Sequence, residues 1–322
     1  MRHQIAIFTL RGDLHGLVVQ EALRKRGVTC HLVNTNDLLA HGGLVWSDDG
    51  LARLRSDEGT WFEVAGLDAI WWRRALQAQI PHPGVEAPDV LRLATSEWRS
   101  ALLGTLQASF RGVWVNDPDA GRRAELKVTQ LAAARAVGLR VPRTFVGQDP
   151  QALRAWRARH GLDRMVIKKV QGTMEIPLLT VPIAAEDLED DASIGLCPAI
   201  YQEEVPGRRH LRIHVFGDRV LAAELESDRL DWRPDLQVPM RGTTLEPAEI
   251  RRLVALNRVL GLEMSIMDAK RTDGGDLVWL EANPQGAFLF AEALAEVDVT
   301  GALCDLLLEC AGRGRRELPR SA

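Results

Sequence analysis

Cysteine is scarce and unpatterned in this chain of 322 residues: there are four thiols, Cys30, Cys197, Cys304 and Cys310, and no two of them form a C-x₂-C pair. That excludes zinc ribbons and thioredoxin-type redox motifs, and it suits the reduced structural thiols of a cytoplasmic protein. Long apolar runs are also missing, and no secretory signal is seen, so the expectation is a cytoplasmic chain with no transmembrane span and no membrane partner. Basic residues do not exceed acidic ones; 40 against 44 gives a net charge of -4, which argues against nucleic acid as a partner because that needs a basic face. Four further absences narrow the chemistry. The loop Leu10-Arg11-Gly12-Asp13 lacks the second and third glycines of a dinucleotide fingerprint, and no Gly-x-Ser-x-Gly, Cys-His or His-Glu-x-x-His signature offers a protein nucleophile or a zinc site.

What is present, 46% apolar and 26% charged residues, is the composition of a globular protein large enough for two or three domains. The first segment reads as α/β. Gln4 to Leu10 is a buried strand, His15 to Arg26 has helical periodicity, and Gly27 stops that helix before a second strand, Val28 to Asn34. A hairpin-like region from Ser47 to Phe62 follows. Asp68 to Arg74 is a third strand, and Arg73 and Arg74 stand at its carboxyl end, where open α/β sheets bind ligands. A guanidinium pair there suits a carboxylate or phosphate, although a strand-end pair bonded to local acids has the same sequence. Helix Asp89 to Phe110, with Trp98, Leu102, Leu103 and Leu106 on its packing face, and strand Val113 to Val115 complete this part, which Asn116-Asp117-Pro118 ends.

In the second part, Glu125-Leu126-Lys127 heads a helix that stops at Gly138, and Leu139 to Val146 is extended. Helix Pro150 to His160 leads to the strand Met165 to Lys169 and then to Val170-Gln171-Gly172-Thr173. A lysine inside a Val and Ile strand, as Lys168 is, either snorkels to solvent or points at an anion. Ala199 to Val205 leads by Arg208-Arg209-His210 into the strand Leu211 to Phe216, which pairs with Arg219 to Glu226 across the Gly217-Asp218 turn. Asp228 to Pro239 is a polar loop, and Glu246 to Leu260 is an amphipathic helix that Gly261 ends.

The last pair of strands concentrates oxygen ligands. Ile266 to Arg271 and Leu277 to Pro284 flank Thr272-Asp273-Gly274-Gly275-Asp276, which is turn chemistry for a hairpin. Strict alternation places Ile266, Asp268 and Lys270 on one face, and Leu277, Trp279, Glu281 and Asn283 together on one face of the partner. Two carboxylates and an amide oxygen converging there would suit Mg²⁺ completed by phosphate oxygens, whereas scattered acids on a surface hairpin would show the same spacing.

Taken in order, these pieces carry a resemblance. Lys127 ahead of Gly138-Leu139-Arg140-Val141-Pro142-Arg143-Thr144, Val166-Ile167-Lys168 with its glycine loop, Gln202-Glu203-Glu204-Val205, and Asp268 with Glu281-Ala282-Asn283-Pro284-Gln285-Gly286 resemble the ATP-grasp superfamily over roughly residues 116 to 310. Within it the chain resembles the RimK-like ligases and, more narrowly, the graspetide (microviridin-type) peptide maturases. The narrower match rests on Trp72-Arg73-Arg74, on His210-Leu211-Arg212-x-His214-Val215, and on Asp231-Trp232-Arg233.

The resemblance implies an α/β fold, α+β in its C-terminal half: an N-terminal pre-ATP-grasp domain (1–115), a central subdomain (116–200), a C-terminal subdomain with the metal site (201–312) and a basic tail (313–322). It implies ATP clamped between two sheets. Lys127 and Lys168 would serve the α and β phosphates, the backbone of Glu203 to Val205, beside Gln202, the adenine edge, and Asp268, Glu281 and Asn283 two Mg²⁺ ions. RimK-like members commonly carry an acid where this chain has His210, so the ribose contact of His210 stays open. Arg212 would reach the γ-phosphate and an acyl phosphate formed from it, with Asp231 and Arg233 in the same catalytic set. Arg73, Arg74, Arg233 and Arg241 would line an acidic peptide path. The implied activity is ATP-dependent macrocyclisation of a ribosomal precursor peptide, leader plus acidic core, joining Asp or Glu carboxylates to Thr, Ser or Lys side chains. The alternative is a RimK-like ligase that joins an amino acid to a protein or a small acid. A homodimer is left open.

Overall fold

Five of the six residues from Gln4 to Thr9 are buried, as expected for an apolar run without alternation that is covered on both faces. The computed structural model describes residues 3–36, 42–76, 84–171, 180–232 and 238–317. The first strand, β1 (Gln4–Thr9), is followed by α1 (Leu14–Lys25) and by β2 (Thr29–Asn34), which pairs parallel with β1, so the βαβ unit is present. Gly27, at φ 78°, takes the left-handed conformation that lets the chain leave the helix. The hairpin-like region is a three-stranded antiparallel sheet, β3 (Leu44–Trp46), β4 (Ala52–Arg55) and β5 (Trp61–Glu63). Next come β6 (Ala69–Trp72), α2 (Pro88–Ser109) and β7 (Val113–Val115), which complete a parallel sheet of order β2-β1-β6-β7. Trp98, Leu102 and Leu106 of α2 are buried in one core with Phe8, Ile70 and Trp72, as the helical period predicts.

The chain divides into two units, and the first runs to Pro118 and takes in Ala287–Leu289 and the chain from Asp298 onward. The late helix Val299–Glu317 contacts α1, β1, β6 and β7. The expected grouping of residues 201 to 312 therefore does not extend to this helix, whose apolar face is used up against the N-terminal sheet.

The second unit holds Asp119–Gly286 and Phe290–Val297. Its elements are α3 (Pro118–Ala124), α4 (Lys127–Ala136), β8 (Thr144–Gly147), α5 (Pro150–His160), β9 (Met165–Lys168), β10 (Val181–Pro182), α6 (Asp191–Leu196) and β11 (Ala199–Glu203). They continue with β12 (Arg209–Phe216), β13 (Arg219–Glu226), β14 (Met240–Thr243), α7 (Pro247–Leu260), β15 (Met264–Arg271), β16 (Leu277–Asn283) and α8 (Leu289–Ala295). Two antiparallel sheets result, β10-β9-β11-β8 and β14-β13-β12-β15-β16.

A capping box fixes where α7 begins: Glu246 and Glu249 each accept from the other's end of the first turn. Its buried face, Leu253, Leu256 and Leu260, shares a core with Leu211, Ile213 and Val215 of β12 and with Met267, Ala269 and Trp279 of the β15 and β16 pair. That core covers one face of the five-stranded sheet and leaves the face bearing His210 and Asp268 to line a cleft.

Candidate active site

A β-bulge decides which side chains reach this cleft. Asp268 pairs with Glu281, but Ala269 pairs with Trp279, so Leu280 is an extra residue in β16. The extra residue reverses the alternation. Leu277 and Trp279 sit in the core with Met267 and Ala269, while Glu281 and Asn283 turn to the side of Asp268. The expected common face of Leu277, Trp279, Glu281 and Asn283 is thus corrected, because strict alternation would have buried Glu281 beside Trp279.

The cleft, about 540 Å³, is lined by both sheets of the second unit and by α4. Of the residues expected from the sequence, it gathers Lys127, Lys168, Gln202, Glu203, Glu204, Val205, His210, Asp231, Asp268, Glu281 and Asn283. Its floor is a row of alternating charge. Lys127 Nζ is 2.8 Å from Glu281 Oε2, Glu281 lies opposite Asp268, and Arg212, opposite Asp268 on β12, donates through Nη1 to both Asp268 oxygens at 2.9 Å. The Arg212 guanidinium also rests 5.7 Å from the centre of the Phe290 ring. On the facing sheet, Lys168 Nζ donates to Gln202 Oε1 at 2.8 Å, and Gln202 Nε2 donates to Thr144 Oγ1 at 2.9 Å.

The segment after β11 is pinned from three sides. Glu203 N–H donates to the Arg143 carbonyl at 2.9 Å, Glu204 N–H to the Arg164 carbonyl at 3.1 Å, and the Val205 carbonyl accepts from Lys270 Nζ at 2.9 Å. Burial depresses the Lys270 pKa, and the Glu204 and Asp273 charges oppose that shift. Opposite Lys270 stands His210, whose pKa is pushed down to about 4 by burial and then by the Lys270 charge. His210 is a neutral ring near pH 7, and its buried Nε2 has no hydrogen-bond partner among the described residues. Asp231 accepts from Thr180 N–H at 3.4 Å, and Asn283 Oδ1 accepts from Gln285 N–H at 2.9 Å.

The arginines expected beyond the cleft fare differently. Arg73 is fully buried, with Nε 2.6 Å from Asp13 Oδ2 and its guanidinium 5.4 Å from the Trp71 ring centre and 5.9 Å from that of Phe288. The Asp13 carboxylate, largely shielded from solvent, occupies the fork that the expected substrate contact would use. Arg74, at φ 51°, is half-buried at the end of β6. Arg233 lies outside the described residues. Arg241 donates to the buried Glu224 at 2.8 Å, as Arg209 does at 2.5 Å, so it closes a charge cluster on the sheet.

Gln130 was not anticipated. One helical turn after Lys127, its side-chain amide donates to the Ala282 carbonyl at 2.7 Å and accepts from Ala282 N–H at 3.0 Å. It acts as a surrogate peptide group on the edge of β16, between Glu281 and Asn283. A glutamine at i+3 from Lys127 was the available signal, but helix periodicity alone does not say which strand it meets.

Among the described residues, no three His, Cys, Asp or Glu side chains cluster as a metal site. Asp268 and Glu281 with the Asn283 amide supply hard oxygens on one face, a donor set that fits Mg²⁺ once phosphate oxygens complete it. Both carboxylates presently hold cations, Arg212 and Lys127, which shows that the site balances two negative charges.

No family model matches the chain. Among curated proteins it is 31% identical over 199 residues to "Probable alpha-L-glutamate ligase" of Enterobacter sp. (strain 638), covering 58% of this chain and 64% of that protein. To the protein of the same name from Aliivibrio salmonicida (strain LFI1238) it is 28% identical over 196 residues, 58% of this chain and 63% of that one, so it spans less than two thirds of the length of these two relatives. Among solved structures, macrocyclase MdnC bound with precursor peptide MdnA from Microcystis aeruginosa MRC superposes with a TM-score of 0.84 at 22% identity, over 95% of this chain and 99% of that one. The ATP-grasp ligase PsnB complexed with minimal precursor gives a TM-score of 0.78 at 26% identity, over 96% and 99%. The chain has the ATP-grasp fold. Within that fold it resembles both RimK-like ligases and, over nearly its whole length, the peptide macrocyclases.

Proposed function

We propose that the chain is an ADP-forming ATP-grasp ligase that closes macrocycles in a ribosomal precursor peptide. The observation that carries this reading is the charge row Lys127, Glu281 and Asp268 facing Lys168 across one cleft, with Arg212 paired to Asp268 behind the lining. Two carboxylates between cations suit a triphosphate, because metal can take the acids while the lysines and Arg212 turn to phosphate oxygens. Asp268, Glu281 and Asn283 would hold Mg²⁺, two ions on this reading, which when bound neutralises charge on the β and γ phosphates. Lys127 and Lys168 steady the α and β phosphates, and the Glu203 to Val205 backbone takes the adenine edge.

The chemistry uses no protein nucleophile. An Asp or Glu carboxylate oxygen of the peptide attacks the γ-phosphorus and ADP leaves, giving an acyl phosphate whose charge Arg212 faces. A Thr or Ser hydroxyl or a Lys amine then attacks the acyl carbon, phosphate leaves with the oxygen, and the nucleophile's proton passes to phosphate or solvent. Ester or amide forms at the cost of one ATP. Asp231 and Arg233 are assigned to the catalytic set with Arg212, and Arg74 to binding of the acidic peptide. Domains of residues 1–115 and 116–200 and a cytoplasmic location belong to the same proposal; no helix among the described residues is long and apolar enough to cross a membrane.

The second reading, a RimK-like ligase adding an amino acid to a protein or small acid, is favoured by the names of the curated relatives. One mass spectrum separates the two. With ATP, Mg²⁺ and the precursor peptide, cyclisation lowers the peptide mass by one water per ring, whereas an amino-acid ligase raises its acceptor's mass by one residue per turnover. Peptide of unchanged mass while a glutamate acceptor grows would replace the first reading with the second.

A further inference from the structure

A second cavity, of about 510 Å³, is walled by Arg135, Arg140, Arg143, Thr144, Trp156 and His160, at the end of α4 and between β8 and α5. Three guanidinium groups share it, and two of them are not neutralised: among the described residues no carboxylate lies within ion-pair distance of Arg135 or of Arg143. Arg140 differs, with Nη1 2.5 Å from Asp276 Oδ2. Arg143 Nη1 instead donates to His160 Nδ1 at 3.1 Å, so the imbalance is not relieved by the imidazole. Among the described residues Glu203 is the one carboxylate of the wall, and it accepts from the backbone N–H of Arg143 at 3.0 Å.

This wall is wired to the first cleft. Thr144 Oγ1 accepts from Gln202, and Gln202 accepts from Lys168, so two hydrogen bonds separate the second cavity from a cation of the first. Glu203 lines both cavities. We propose that the second cavity is a binding site for a small phosphate-class oxyanion, taken by the guanidinium groups of Arg135 and Arg143, and that its occupancy is relayed through Thr144 and Gln202 to Lys168. Guanidinium forks suit phosphate oxygens, and a cavity of this volume has room for more than one phosphate group.

Inorganic pyrophosphate is the probe. Titrated by calorimetry into a Lys127→Met/Lys168→Met chain, which lacks two cations of the first cleft, it binds at one site. Adding Arg135→Ala and Arg143→Ala weakens that binding at least about tenfold, while Arg159→Ala, an exposed arginine on α5 outside the cavity, leaves it unchanged. Both cavity arginines are exposed, so their loss leaves the fold intact. No binding to the first chain, equal binding after the arginine substitutions, or equal weakening by Arg159→Ala overturns the site. A Glu-rich peptide that binds through both arginines while pyrophosphate does not would overturn the phosphate class. The relay is read with the first cleft filled by saturating ADP, where pyrophosphate shifts the Lys168 ammonium NMR resonance and ceases to do so after Thr144→Val; an unmoved resonance, or a shift that survives Arg135→Ala with Arg143→Ala, overturns it.

Discussion

Arg212 Nη1 stands 2.9 Å from both carboxylate oxygens of Asp268, directly across β12 and β15, and both side chains are largely buried. The pair puts a cation proposed for the transferred phosphoryl group against an acid proposed for the metal. Neither can act as proposed while each satisfies the other. Ligand binding has to separate them, and the Phe290 ring, 5.7 Å from the guanidinium, holds that group near the cleft when the acid is drawn away.

The first prediction concerns this row. Glu281→Gln keeps the shape of β16 and removes one ligand charge, so turnover, measured as ADP release, falls at least about a hundredfold while thermal unfolding stays near that of the wild type. Asp268→Asn abolishes turnover in the same way and also leaves Arg212 with a weaker acceptor. ADP release at the parent rate from either folded variant would remove the metal assignment.

Arg73→Ala acts on stability instead. It leaves the largely shielded Asp13 carboxylate with its side-chain bond to Thr9, and breaking a buried pair from one side costs about 3–5 kcal/mol, the upper bound here because Asp13 is only partly buried. Replacing both partners by apolar residues, Arg73→Met with Asp13→Leu, restores most of that loss. Urea unfolding of the three variants is the measurement, and an Arg73→Ala protein as stable as the parent would return Arg73 to the ligand-binding role expected from sequence.

Gln130→Leu tests the clamp on β16. The change keeps the volume and removes both bonds to Ala282 and the one to the Ala124 carbonyl, leaving a buried N–H and C=O unpaired on Ala282, which costs about 2–4 kcal/mol. Glu281 and Asn283 flank Ala282, so the Mg²⁺ concentration needed for half-maximal turnover also rises. A variant destabilised as expected but with an unchanged Mg²⁺ requirement would make Gln130 a packing residue only.

How much of this was legible follows from what each signal encodes. Periodicity and stop residues placed the helix from Pro150 to His160, and the Thr-Asp-Gly-Gly-Asp turn placed β15 against β16 in antiparallel register. The members of the cleft were legible too, because their order along the chain carried a resemblance. The bulge at Leu280 was not: an extra residue leaves the composition of a strand unchanged and shows only when its partner is known. The burial of Arg73 was hidden for the same reason. Asp13 is distant in sequence, and only the parallel pairing of β1 with β6 brings their carboxyl ends together.

The last prediction concerns acid. His214 is fully buried on β12, and its pKa falls from 6.5 to about 3, chiefly through burial and then through the Arg212 charge; His210 falls to about 4. An unfolded chain takes up protons on both rings near pH 6.5, whereas the folded chain refuses them until well below, so between these limits the unfolded state binds more protons. Stability is therefore full above pH 6.5 and declines as pH falls towards 4, by about 3 kcal/mol at most for His210. Asp13 adds its own loss only lower down, because Arg73, working against burial, holds its carboxyl below 3.8 and the acid stabilises the fold above that value. The two windows separate the groups. In urea titrations at stepped pH, His214→Leu should flatten the decline between pH 6.5 and 4 while Asp13→Asn leaves it unchanged. A His214→Leu curve as steep as that of the parent would mean that His214 is protonated in the folded chain, which would require a buried partner for its ring other than the Arg212 cation beside it.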